Sequence, residues 1–515
     1  MHARPVAPMA SALVAALAVA VAGCNAVPRL HSPESLPASG SSTTKFHMQG
    51  GQLCVLEEWG RVGDHIEGTG SLYDVERALL ARGRLRVPLN GLAVVQTSGY
   101  EFRYGAIPMM IATAGMIGGA VACAVNPKAC FGSCPTFYVP AGKSWRLQAE
   151  GFSTSVARAL EATDLDALSD AVPERGFVTV AMRNEALETH VVRSLGVVSV
   201  LGPPGSTVLR THERDFVAVG PRHAAEACTW EREVCPLVAE RDGIELLPES
   251  DPADLAARTH LELGFGAPAT TDAGLVVTAR NSLMMTYVLY HVIALLGRGY
   301  GAFLAGIERG DRQLLARMDR FGRTLGDLDI AFRQGPGPWR RAGGIAYLGP
   351  IARSTLVVPF RLDRPNEPVQ VRLEMARANW RIDSVGLAPI VARALPGVRS
   401  APELVAARGL DPARVEAWLR GDAAALVTLP GQEVVLRFAV PGSESGAVGY
   451  FLESRGYYHE WMRDSWLRDE DIPTAWRYLD DPAAALRELA PRYKAVEAEM
   501  AAVFEASRLG AGGRP

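Results

Sequence analysis

Cysteine, carboxylate and aromatic side chains are where this sequence could do chemistry. Cys130 and Cys134 have three residues between them and could form a redox pair or half of a metal site. Thioredoxin-type chemistry uses Cys-x-x-Cys at a helix N-terminus, where the dipole lowers the thiol pKa. Here the spacing is one residue longer and Pro135 leads into a strand. Zinc would need two more ligands, and no Cys/His pair stands at zinc-motif spacing. A structural disulfide is the better reading. Glu161, Asp164, Asp166 and Asp170 form the sharpest acidic cluster and are weak Ca²⁺ candidates, since that ion takes oxygen ligands at such density. They lack the Gly and the terminal Glu of an EF-hand loop. The competing reading is helix capping, with Asp164 at the start and Leu165 and Leu168 facing inward. Trp380, Tyr457, Tyr458 and Trp461 are weak ligand candidates, because aromatic faces on a β module can stack on sugars. No Gly-x-Ser-x-Gly, P-loop or dinucleotide fingerprint is present, so no catalytic residue is assigned and no cofactor is implied.

The first 23 residues are a targeting segment rather than structure: Arg4, an apolar run from Val6 to Ala22, then Val21-Ala22-Gly23-Cys24. That ending resembles the bacterial lipobox, which implies cleavage before Cys24 and diacylglycerol on its thiol. Asn25, rather than Asp, follows the lipid site; by analogy with enteric bacteria, that favours the outer membrane. The expected location is the bacterial envelope, lipid-anchored and facing the periplasm.

Six cysteines remain after Cys24: Cys54, Cys123, Cys130, Cys134, Cys228 and Cys235. An even count in an exported chain favours disulfides. Cys228–Cys235 and Cys130–Cys134 are the simplest pairs, leaving Cys54–Cys123. The net charge of −3 leaves no electrostatic footprint for nucleic acid.

The elements expected to position these groups are mainly β with helical insertions, an α+β chain. Residues 24–44, rich in Pro and Ser, read as a flexible tether. Residues 45–105 read as a β-rich region, with helical spacing from Tyr73 to Arg82. Residues 106–127 lie in an uncharged Gly/Ala-rich run, where Gly115 and Gly119 would let another helix approach closely. Its length admits a membrane span, and burial within a soluble fold is the alternative. Residues 128–280 read as a β domain containing the Cys motif, with Ser153 to Leu168 a loop and helix. Residues 281–324 read as a helical hairpin, its second helix running from Tyr300 to Phe321. Residues 325–456 read as a second sandwich-like β domain, and 457–515 as helical, with Asp481-Pro482 a helix start and Pro491 a break.

Three stretches carry a resemblance. Cys130-Phe-Gly-Ser-Cys134-Pro-Thr-Phe-Tyr138 with the EATDLDAL run after it, Asn379-Trp380-Arg381-Ile382-Asp383, and Gly456-Tyr457-Tyr458-His459-Glu460-Trp461-Met462-Arg463 resemble motifs of a group of uncharacterised bacterial envelope proteins. That group carries no known activity, so the resemblance implies address and no catalytic residue. The expected role is non-catalytic binding or scaffolding in the envelope, with the membrane and an envelope protein as partners and no nucleic acid. An envelope glycan hydrolase is the first alternative. An oligomeric membrane component packing through residues 107–125 is the second.

Overall fold

The computed structural model describes residues 25–31, 33–48, 52–73, 79–101, 134–185, 188–429, 431–441, 446–460 and 468–507. Cys24, Cys123, Cys130, Trp461 and the 106–127 segment lie outside them. Among the described residues strands hold 48% and helices 21%, so the mainly β expectation with helical insertions holds.

Pairing runs across the expected regional boundaries. One sheet has the order Pro402–Arg408, Glu433–Ala439, Phe177–Arg183, Thr136–Ala141, Ser144–Glu150. Another has the order Ala162–Ala167, Ala447–Glu460, Glu188–Gly202, Gly397–Ser400. The two share a core: Phe137, Val180 and Phe438 from the first meet Val192, Val197 and Leu452 from the second. The strands that build this pair come from residues 136–202 and 397–460. Between them in the chain lies a second pair. Its inner sheet includes Asp272–Asn281, Ser354–Arg361 and Trp380–Ala392. Its outer sheet has the order Arg232–Glu233, Ala227–Trp230, Arg258–Phe265, Val369–Ala376, Leu328–Gln334, Arg340–Ile345. Leu261, Ile330 and Val371 of the outer sheet pack on Leu275, Val358 and Ile382 of the inner one. Division into consecutive regions 128–280 and 325–456 therefore does not follow the hydrogen bonding. Glu188–Gly202 completes its ladder with Ala447–Glu460, and Asp272–Asn281 with strands beyond residue 353.

Several local expectations are corrected. The tether 24–44 contains strand Asn25–His31, which pairs with Leu92–Glu101 in an N-terminal sheet. Glu34, in the same stretch, accepts from Arg193 at 3.0 Å and from the Tyr457 hydroxyl at 2.9 Å, so it is fastened to the body. Leu79–Pro88, which takes in the end of the run read as helical from Tyr73 to Arg82, is a strand, held by antiparallel pairing to His65–Tyr73. Ala162–Ala167 is also a strand; its pairing with Ala447–Glu460 overrides the helical spacing of Leu165 and Leu168. The expected helix Tyr300–Phe321 is two helices, Tyr300–Glu308 and Arg312–Leu325. Gly310 takes a left-handed φ of 68° between them, and Asp311 caps the second by accepting from the Gln313 and Leu314 amides. Helix Pro482–Ser507 passes through Pro491 unbroken. Leu486, Leu489, Ala490 and Tyr493 anchor it in the core, which outweighs one missing backbone bond. Asp481 does start it, accepting from the Ala484 amide at 3.0 Å.

The helices gather beside the sheets. Met284–Leu296 is apolar around most of its surface, and it is buried against Ile472–Asp480 and Pro482–Ser507. The run Met284–Glu308 is long and apolar enough to cross a membrane by composition, and 67% of its most apolar window is buried within the fold.

Candidate functional site: a polar cleft on the outer sheet

The outer sheet of the second pair exposes one face. Along each strand, alternate residues enter the core and the rest face out. Cys228, Leu261, Leu263, Ile330, Phe332, Val371 and Leu373 are buried. Thr229, His260, Glu262, Arg372, Glu374 and Arg333 therefore point outward. A cleft of about 390 Å³ opens at one side of this face, lined by Thr229, Trp230, Glu231, Arg258, Thr259, His260, Glu262 and Arg377.

Its edge is built by the Cys228–Cys235 disulfide, present as expected. The bridge closes a tight hairpin in which Thr229 pairs with Glu233 and Trp230 with Arg232, leaving Glu231 at the tip with a left-handed φ of 53°. Trp230 follows the inward phase of Cys228. Its indole N–H donates to Thr259 Oγ1 at 2.8 Å, and the Arg377 guanidinium lies 5.6 Å from its ring. The cross-link and these contacts fix the rim in one arrangement.

Charges lining the cleft neutralise one another. Arg377 pairs with Glu231 at 2.6 Å and Arg372 with Glu262 at 2.5 Å. Arg258 reaches Asp329 at 3.3 Å and Glu374 at 3.5 Å, and His260 stands 3.7 Å from Glu262. Pairs this exposed contribute little stability. Their effect here is to give a nearly neutral surface dense in hydrogen-bond donors and acceptors.

Groups with displaced pKa values lie elsewhere, in the interior. Burial pushes the Glu150 carboxyl up to about 8; its Oε1 accepts from the Ile351 amide at 2.9 Å. Burial likewise raises Asp166 to about 7, against the opposing pull of Arg210. Burial lowers His190 to about 3 and His459 to about 4. Glu188 and Glu460 face one another across the 188–202/447–460 ladder. The Tyr290 hydroxyl donates to Glu460 at 2.9 Å, and the Glu188 carboxylate accepts from the Cys134 amide at 2.9 Å. All four of Glu150, His190, His459 and Glu460 are fully or almost fully buried.

The residues singled out from sequence fall differently. Glu161 is held by Arg193 at 2.8 Å and Arg455 at 2.7 Å, Asp164 by Arg214 at 3.6 Å, and Asp170 by Gln148 at 2.9 Å. These three carboxylates each have a cationic or amide partner; Asp166 is buried beside Asp164, with Arg210 and Arg214 acting on both, and its Oδ2 has no hydrogen-bond partner among the described residues. Among the described residues the group spaced for a metal is Cys228, Glu233 and Cys235, whose two sulfurs are joined in the disulfide rather than presented as thiolates. Trp380, Tyr457 and Tyr458 are core residues with exposures of 1%, 0% and 1%, so none offers a ring to solvent. Cys54 is a buried thiol, pushed up to about 11 by burial, and its expected partner Cys123 lies outside the described residues. Cys134 is buried in the core of the first sheet pair.

Sequence reasoning missed Trp230 at the cleft's rim and Trp339 beside the outer face. Trp230 stood inside a recognised Cys loop. Trp339 follows Gly335-Pro-Gly-Pro338, a turn signature that presents the next side chain on a stiff loop.

No family model matches this chain, and no curated protein matches it. Among solved structures, the GH31 alpha-xylosidase from Xanthomonas citri is similar at 8% identity and a TM-score of 0.15, covering 84% of this chain and 38% of that one. Dimeric latent PorU from Porphyromonas gingivalis is similar at 8% identity and a TM-score of 0.14, covering 86% of this chain and 33% of that one. The chain thus spans about a third of either, and likeness at this level carries no argument about activity.

Proposed function

We propose that this chain is a lipid-anchored, periplasm-facing envelope protein, held through Cys24 at the outer membrane, whose role is to bind rather than to turn over its ligand. In this reading two sandwich-like β units, buttressed by the helical layer, serve as a rigid scaffold. The cleft beside Trp230 takes a neutral, hydroxyl-rich ligand of carbohydrate type. The observation that carries the reading is the cleft's lining: paired charges around an immobilised rim, with Thr229, His260 and Glu262 facing outward beside it. A sugar presents many hydroxyls and little charge, which such a lining matches better than it matches a phosphate or a peptide terminus. Pre-organisation by the disulfide lowers the entropy lost on binding. An envelope protein partner would dock elsewhere on the same scaffold.

The hydrolase alternative has one observation in its favour, the presence of Glu231 and Glu262 in one cleft. Both carboxylates are engaged by arginine, which suits hydrogen-bond acceptance. Incubating the protein with neutral disaccharides and tetrasaccharides of glucose and of N-acetylglucosamine separates the readings. Saturable binding with recovery of intact sugar is expected. Shortened products that vanish in Glu231→Gln or Glu262→Gln would establish the hydrolase instead.

A further inference from the structure

The register of the outer sheet aligns one row of outward residues across its strands. Thr229 pairs with Glu262, Glu262 with Arg372, Arg372 with Ala331, and Ala331 with Arg341. Strands lie about 4.8 Å apart, so the row covers about 14 Å from Thr229 to Ala331. At its near end is the cleft. Toward its far end stands Trp339, with the guanidiniums of Arg333 and Arg372 each 4.4 Å from its ring centroid. Both arginines point outward, so the indole sits on the solvent side of the sheet and is part-exposed. The ion pair Arg372–Glu262 ties this platform to the cleft. Arg333 is fixed by donating to the Gln370 side-chain oxygen at 2.6 Å. The loop that carries Trp339 is stiffened by Pro336 and Pro338, with Gly335 at a left-handed φ of 62°.

We infer that Trp339 is the aromatic stacking platform of an extended binding track, and that the ligand is a linear neutral oligosaccharide lying across the strands from the Thr229 cleft to Trp339. This rests on the carbohydrate reading of the cleft. Three features argue for it together. The row is longer than one sugar ring and fits a short chain. Its charges are paired, Glu262 with Arg372 and Arg341 with Asp329 beside the row, so it offers hydrogen bonds without a strong field. A part-exposed indole held by two guanidiniums offers a fixed aromatic surface on which the C–H face of a pyranose can stack. Ala331, small and toward the far end of the row, leaves room over the sheet between Arg372 and Arg341.

The test compares Trp339→Ala and Trp339→Phe with the native chain, titrated with the disaccharides and tetrasaccharides named above. Tetrasaccharide affinity is expected to fall at least tenfold in Trp339→Ala and to be largely restored in Trp339→Phe, while disaccharide affinity at the cleft is unchanged. Equal tetrasaccharide affinity in Trp339→Ala and the native chain overturns the track and leaves the cleft standing. Absence of binding by any of these sugars to the native chain overturns both.

Discussion

Replacing Glu150 by Gln should change how stability depends on pH. Glu150 ends strand Ser144–Glu150 and reaches into the loop that precedes Ser354–Arg361, where Oε1 accepts from the Ile351 amide at 2.9 Å and faces that of Ala352 at 3.4 Å. The site is sealed. A Cβ on Gly349 would lie 1.9 Å from that oxygen. Burial raises its pKa from 4.5 to about 8, so the folded chain keeps a proton that the unfolded chain has released. Stability from this group is fully present below pH 4.5 and is lost as pH rises toward 8. The slope is about 1.4 kcal/mol per pH unit, on the order of 5 kcal/mol across the window. Asp166, raised to about 7, acts with the same sign. His190 and His459, lowered to about 3 and about 4, act with the opposite sign, costing stability as pH falls below 6.5. Two protons are thus set against two between about pH 4.5 and 6.5, which gives a plateau, with a decline above it. Gln keeps the acceptor oxygen but cannot ionise. Urea unfolding followed by tryptophan fluorescence from pH 4.5 to 9 should show a shallower alkaline decline in Glu150→Gln, the two curves converging or crossing near pH 8. Parallel curves would refute the assignment of a buried protonated carboxyl.

Other perturbations follow from the same structure. Gly349→Ala should destabilise by about 2–3 kcal/mol at neutral pH, because its φ of +97° and the Glu150 oxygen both exclude a side chain; thermal unfolding reads it. Cys228→Ser with Cys235→Ser should cost about 2 kcal/mol through the freed hairpin and should weaken sugar binding by loosening the rim; denaturation and titration of one sample separate the two effects. Cys24→Ala should release the protein into the soluble periplasmic fraction. Retention in the membrane would show a second anchor and favour membrane contact by residues 107–125.

Much of the secondary structure was legible where one face alone is buried. Val369–Ala376 alternates strictly and is a strand with alternate residues in the core. Leu283 to Leu296 is apolar on nearly all faces, the pattern of a buried helix, and Met284–Leu296 is a largely buried one. Ala162–Ala167 was not legible, because Leu165 and Leu168 fit a helical face equally well and pairing with a strand almost 300 residues away decided it. The same distance hid the association of Glu188–Gly202 with Ala447–Glu460. Aromatic type alone did not separate core from site. Trp380, Tyr457 and Tyr458 drew notice from their motifs and lie inside, whereas the Gly-Pro turn before Trp339 was the more informative signal. The cleft could not be read from sequence, since Thr229, His260, Glu262 and Arg377 meet only when the strands are in register.

Filling the cleft tests the central claim most directly. Thr229 is exposed and points outward from Ala227–Trp230, so Thr229→Trp can place an indole over Glu262 without entering the core. Calorimetric titration of the native and Thr229→Trp chains with a neutral tetrasaccharide should show saturable binding lost in the variant at an unchanged melting temperature. Undiminished binding by a folded Thr229→Trp chain would contradict the account and move the site elsewhere.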